Sequence, residues 1–225
     1  MRILDLFCGA GGAGMGYFQA GFDVIGVDIN HQKNYPFEFH QADALEFLKK
    51  HGHEFDLIHA SPPCQRYSCL SHLANRKHKA MIPEVREILI KIGKPYVIEN
   101  VPGSPLINPA VLCGSMFGLK TECGAKLRRH RLFETSFHVD KLKCNHKKGE
   151  RTIGIFGDKA RDTAAEKRHY LKPKETRGNP PHDILFSHES ARLSMGINWM
   201  TMKELSQAIP PAYTKYIGEQ YLGIN

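Results

Sequence analysis

The segment Pro62-Pro63-Cys64-Gln65 ends the apolar run Phe55-Asp56-Leu57-Ile58-His59-Ala60. A strand that stops in a turn holding one cysteine places a thiol at the rim of a sheet. The two prolines fix φ ahead of it and stiffen the turn. Such a thiol is either a packed small hydrophobe or a nucleophile. Glu99-Asn100-Val101 ends a second apolar run and brings a carboxyl to the same kind of position. Arg129-His130-Arg131 adds two cations, the surroundings that favour a thiolate. Near the start, Asp5-Leu6-Phe7 leads into Cys8-Gly9-Ala10-Gly11-Gly12-Ala13-Gly14. Glycines there let the backbone approach a ligand and leave helix-terminal N–H groups free for its polar end. Asp28 closes the second strand, where folds of this kind place an acid on ribose hydroxyls. Asp43 opens the next helix, as a cap or as a ligand contact.

The elements that must position these groups alternate. Short apolar runs predict strands over residues 3–7, 24–28, 55–60 and 96–99, and helical patterns lie over 14–20, 42–50 and 83–92. Pro83 suits a first helical turn, with Glu84 and Glu87 near the positive end of its dipole. Strand–helix alternation predicts an α/β protein with a parallel sheet covered on both faces. Ligands bind such sheets at the carboxyl ends of the strands. Cys64, Glu99, Asp28 and the glycine loop all fall at such ends, so one site is expected. Lys, His, Gly and Pro break the rhythm between 134 and 190, and a small irregular insert with little core is expected there. Helices return at 201–208, where Thr201 and Glu204 form a capping-box pattern, and at 212–222.

The 225 residues suffice for one sizeable domain. The net charge of +8 is concentrated: residues 120–177 hold 17 Lys and Arg against 8 acids, while the rest of the chain is nearly balanced at −1. That is the footprint of a polyanion, most simply nucleic acid. No stretch reaches membrane-spanning length. The chain opens directly on strand-like residues, so no signal peptide is expected, and its six scattered cysteines suit a reducing cytoplasm.

The glycine loop, Pro-Cys-Gln and Glu-Asn-Val, in that order, resemble the motifs of the cytosine-C5 DNA methyltransferases, in particular small members of bacterial or phage type associated with restriction–modification. The resemblance runs from Leu4 to about Leu222 and implies a Rossmann-like S-adenosylmethionine-dependent methyltransferase fold with a small irregular target-recognition insert. It divides the chain into a catalytic and cofactor-binding domain over 1–133, a basic recognition region over 134–190 and returning helices over 191–225. The implied cofactor is S-adenosylmethionine. Phe7 would stack on adenine, Gly9 and Gly11 would pass the methionine portion, Asp28 would hold the ribose and Asp43 the adenine amino group. Pro62 and Gln207 would complete that pocket. Cys64 would add to carbon 6 of cytosine, Glu99 would bind the N3 edge, and Arg129 and Arg131 would orient the thiol and contact the base oxygen. Gln65, Ser68, Asn100, Lys147 and Lys148 would contact substrate. The implied partner is double-stranded DNA with a flipped cytosine, read by a monomer in a bacterial or phage-infected cytoplasm.

Two departures from the pattern stand out. Leu127 occupies the glutamine position of Gln-x-Arg-x-Arg, and Ser206-Gln207-Ala208-Ile209 replaces a Gly-Asn motif. A tRNA cytosine-C5 methyltransferase and a catalytically idle DNA-binding relative remain as alternatives. Cys123, His138, Cys144 and His146 offer metal-ligating atoms, but Cys-Asn-His is tighter than a finger spacing, so no metal is expected.

Overall fold

The computed structural model describes residues 1–64, 80–147, 149–171, 173 and 185–224. Gln65, Ser68 and Lys148, expected at the substrate, lie outside the described residues.

The first half follows the expected alternation. β1 (Arg2–Leu6), β2 (Asp23–Asp28), β3 (Glu38–Gln41), β4 (Leu57–Ala60) and β5 (Tyr96–Asn100) are interleaved with α1 (Gly12–Gln19), α2 (Ala44–His51) and α3 (Ile82–Ile92). β6 (Ala110–Leu112), β7 (Lys126–Leu127) and β8 (Arg131–Thr135) follow. The main sheet runs β3-β2-β1-β4-β5-β8-β6. Its β1–β5 pairings are parallel, while β8 lies antiparallel to both β5 and β6.

Strand side chains alternate between two cores, as a sheet covered on both faces requires. Ile3, Val24, Leu57, Val97 and Phe133 pack with Tyr17 of α1 and with Tyr213 and Ile217 of the C-terminal helix. Leu4, Leu6, Ile25, Val27 and Ile58 pack instead with Leu45, Leu48, Val85 and Leu89 of α2 and α3. β8 is clamped from α3: both Glu134 carboxylate oxygens accept from the Arg86 guanidinium at 2.7 Å, and one also accepts from the Ile107 N–H at 2.7 Å.

The basic segment is more regular than its composition suggests. β9 (Thr152–Phe156), β10 (Lys159–Asp162), α4 (Thr163–Tyr170) and β11 (Leu185–Phe186) lie within it. A second sheet runs β11-β10-β9-β7 and has its own core of Leu127, Ile153, Ile155, Ala160, Ala191 and Met195. The insert is therefore more ordered than the irregular segment with little core that was expected. Its strands are short, and β7 comes from before the insert, so no local run shows the pattern. Arg131–Thr135 also carries the main sheet past the expected boundary at 133. α5 (His188–Met195) follows, with Arg192 in its last turn. α6 (Met202–Gln207) carries the expected Thr201–Glu204 capping box, and α7 (Pro211–Leu222) ends the chain.

Candidate active site

The glycine loop leaves β1 in an unusual backbone conformation. Phe7, Gly9 and Gly11 have φ of +58°, +49° and +84°. A left-handed non-glycine residue is costly and tends to occur where function over-determines it. Asp28, at the end of β2, accepts from the Gly9 N–H at 3.1 Å and from the Asn30 N–H at 2.9 Å. Trp199 donates to the Ala10 carbonyl at 2.8 Å and holds the loop from the other side. A Cβ on Gly12 would meet the Ile209 carbonyl at 2.4 Å, so the stretch after α6 closes directly on the loop. Gln207 itself is exposed. Asp43 caps α2 through Oδ1, which accepts from Leu45 and Glu46 N–H at 2.9 and 3.0 Å.

Burial pushes the Asp5 carboxyl up to about 7, against a hydrogen bond from Tyr35 that lowers it. Its Oδ2 accepts from the Tyr35 hydroxyl at 3.3 Å, and its buried Oδ1 has no hydrogen-bond partner among the described residues.

At the end of β4 the turn is braced. Asn100 donates through Nδ2 to the Pro62 carbonyl at 2.8 Å, and its Oδ1 accepts from the Val101 N–H at 3.0 Å. Asn100 is 1% exposed, and in this structure it braces the Cys64 turn. Pro62 is buried and Cys64 half-buried.

Glu99 of β5 is buried and forms an ion pair with Arg131, Oε1 to Nε 3.1 Å. Burial raises its carboxyl above the usual range, opposed by Arg131, a Ser61 hydrogen bond and Arg129. Behind it runs a relay that the sequence did not advertise. Ser61 Oγ lies 2.9 Å from His59 Nε2, and His59 Nδ1 lies 3.0 Å from the Tyr17 hydroxyl. Burial drives His59 down to about 3, so the ring is neutral and relays hydrogen bonds without adding charge. His59 read as one more member of a strand run; only the fold brings Tyr17 to it.

The two arginines part company. Arg131 meets Glu99. Arg129 is buried and donates to the carbonyls of Ser206 (2.7 Å), Ala208 (3.0 Å) and Ile155 (3.3 Å), while its own carbonyl accepts from Tyr213 at 2.6 Å. Its guanidinium ties β9 and the stretch after α6 to the catalytic sheet. Three of its five N–H groups are committed to backbone carbonyls, so the expected contact with the base would fall to the remaining two. Burial and the neighbouring Arg131 lower its pKa to about 9.

Arg131 and Arg129 pull the Cys64 thiol down, as expected, but do not set the balance in the protein alone. Burial and then Glu99 hold the Cys64 thiol above its ordinary value, and the opposing pull of Arg131 and Arg129 does not offset them. The alkylation rate of Cys64 by iodoacetamide should therefore keep rising beyond the pH at which an ordinary thiol, with pKa about 8.5, levels off. Glu99→Gln removes the second cause and leaves Arg131 unopposed, so the profile should move toward lower pH. Alkylation followed by peptide mass spectrometry reads this; an unmoved profile would show that the carboxylate does not face the thiol.

Residues 1–106 match the family model described as C-5 cytosine-specific DNA methylase. Over those residues the chain is similar to that family. The matched region holds the glycine loop, Asp28, Asp43, Cys64 and Glu99. Both arginines lie beyond it. Among relatives, the Type II methyltransferase M.HgiDI of Herpetosiphon aurantiacus is 30% identical over 133 residues, covering 52% of this chain and 42% of that protein. M.HgiGI of the same organism is 33% identical over 81 residues, covering 30% of this chain and 63% of that protein. The alignments therefore span less than two thirds of either relative. The fold match is broader. A DNA modification methyltransferase encoded within an E. coli prophage superposes with TM-score 0.62 at 16% identity, over 100% of this chain and 99% of that one. The S. pombe Dnmt2 methyltransferase gives 0.61 at 13% identity, over 100% and 99%. The methyltransferase fold thus extends through the whole chain, past the region where the family is visible in sequence. No described helix is long and apolar enough to cross a membrane.

Proposed function

We propose that this chain is a DNA (cytosine-5-)-methyltransferase using S-adenosylmethionine and a flipped cytosine. The observation that carries this reading is the convergence of Cys64, Glu99 and Arg131 at neighbouring strand ends, in a sheet whose first turn is the glycine loop.

The residues present fit the cofactor. The left-handed loop at Phe7, Gly9 and Gly11, the carboxylates of Asp28 and Asp43, and the unpartnered Oδ1 of buried Asp5 offer stacking, ribose, amino and cation contacts. The caps and braces on Asp28 and Asp43 leave lone pairs for this, since each carboxylate oxygen accepts more than once. When bound, S-adenosylmethionine supplies an electrophilic methyl group.

The chain's own residues prepare the base. Cys64 Sγ, as thiolate, forms a bond to carbon 6. Glu99, kept protonatable by burial, gives a proton to N3, so the electron pair appears at carbon 5 as an enamine. Arg131 holds Glu99 and offsets charge near the ring. After methylation a base removes the carbon 5 proton, the carbon 5–carbon 6 double bond re-forms and the Cys64 thiolate leaves. Water serves as that base in this reading. The thiol's raised pKa in the free protein suits a nucleophile armed on substrate binding, when Glu99 turns from repelling the thiolate to bonding the base.

The basic second sheet would lie along the duplex, with Lys147, exposed beside β9, on phosphate. The test supplies labelled S-adenosylmethionine with duplex DNA in one arm and tRNA in the other, and maps the modified base. 5-Methylcytosine in DNA is expected, with binding whose log–log salt slope approaches about −0.9 per phosphate neutralised. Label confined to tRNA, or a salt-independent affinity, overturns the DNA assignment.

A further inference from the structure

Beside the arginine strand, four side chains from three separate parts of the chain converge. Cys113 lies at the end of β6, His130 sits between Arg129 and Arg131, and Cys144 and His146 belong to the basic segment. Their Sγ and ring nitrogen atoms all lie within 4.8 Å of one another. This is not the set that the sequence singled out: Cys123 Sγ instead lies 3.2 Å from Thr121 Oγ1, and His138 Nε2 lies 3.0 Å from Asp140 Oδ1.

Two of the six separations match those of a tetrahedral ion, and all lie within 4.8 Å. Zinc with Zn–N of about 2.05 Å and Zn–S of about 2.3 Å places two nitrogens about 3.3 Å apart and a sulfur and a nitrogen about 3.6 Å apart. His130 Nε2 and His146 Nε2 are 3.3 Å apart, and Cys144 Sγ is 3.5 Å from His130 Nε2. A direct hydrogen bond between the two rings would be at the long limit of such contacts. Ser115 Oγ lies 3.3 Å from Cys144 Sγ and 3.6 Å from Cys113 Sγ, placed to donate toward thiolate sulfur, as partners outside a ligand shell do. The donors are two sulfurs and two imidazoles, the set that takes zinc in closed structural sites.

We propose that Cys113, His130, Cys144 and His146 bind one structural zinc ion. Binding replaces the two thiol protons, which leave to solvent, and the two thiolates balance the ion's charge. The bond set would staple the basic segment to the main sheet. It would also fix the backbone of His130, and so the direction in which Arg129 and Arg131 leave it. The sequence hides the set because Cys113 follows β6 and His130 precedes β8, each far from the Cys-x-His pair.

The test measures metal in the full chain purified without chelator, by elemental mass spectrometry, and then titrates the chelated protein with zinc. About one zinc per chain is expected. Cobalt substitution should give a thiolate-to-metal charge-transfer band and the visible bands of a tetrahedral ion. Cys144→Ser and His146→Ala should weaken zinc by at least about a hundredfold, beyond what loss of an outer-shell partner costs. Cys123→Ser should keep it. The wild-type measurement stands even where a variant fails to fold. Folded wild-type protein that takes up no zinc, a Cys113–Cys144 disulfide in its place, or full zinc retention by both variants would overturn the proposal.

Discussion

Cys64→Ser should lose at least about a hundredfold in methylation rate while binding S-adenosylmethionine as before. The serine oxygen keeps the turn but is far less acidic than a thiol, so it cannot add to carbon 6 at neutral pH. The turn is held by Asn100 on the Pro62 carbonyl, not by the thiol, so the fold and the cofactor pocket should survive the change. Duplex DNA carrying 5-fluorocytosine should trap the wild-type protein as an adduct on Cys64, because fluorine at carbon 5 blocks the final elimination. Peptide mapping of that adduct decides the matter. An adduct on another residue, or near-normal turnover in the serine variant, would reject the assignment.

Arg129→Met should be the most destabilising of the site substitutions. Its guanidinium satisfies the carbonyls of Ser206 and Ala208 in a part-buried junction and that of Ile155 in a buried one. Each orphaned acceptor costs about 1–3 kcal/mol, and methionine replaces packing volume but no donor. A loss of about 3–5 kcal/mol follows, or roughly 10 °C in thermal midpoint for a chain of this size. Arg131→Met should behave differently, because its partner Glu99 can take up a proton instead of remaining a buried anion. Activity should fall sharply there with a smaller thermal shift. Melting curves for both variants separate the roles. An unchanged midpoint in Arg129→Met would return that residue to the base-contacting role its motif implies.

Much of the frame was legible in the residues. Apolar runs such as Ile3-Leu4 and Leu57-Ile58 mark buried parallel strands because both faces of each strand are covered, and Thr201 with Glu204 caps a helix through purely local hydrogen bonds. The glycine loop and the turn at Cys64 are local as well, since glycine and proline constrain backbone whatever lies around them. The placement of Cys64 and Glu99 at neighbouring strand ends was therefore readable from residue type and place.

The rest depended on partners distant in sequence. Leu127 looked like a departure from a motif; in the fold it is a core residue of the second sheet, packed with Ile153 and Ile155. β7 and β9 pair directly although the two arginines and β8 lie between them in sequence, so that sheet has no contiguous sequence pattern. Two arginines two residues apart looked equivalent, yet one meets a carboxylate and the other meets three backbone carbonyls. The balance at Cys64 was likewise beyond the sequence, because it is set by how deeply the thiol and Glu99 are buried against how near the arginines come. Residue type and local spacing determined which groups exist and the turns that carry them. Tertiary packing alone decided which groups face one another, because desolvation and pairing act across the three-dimensional contact and not along the chain.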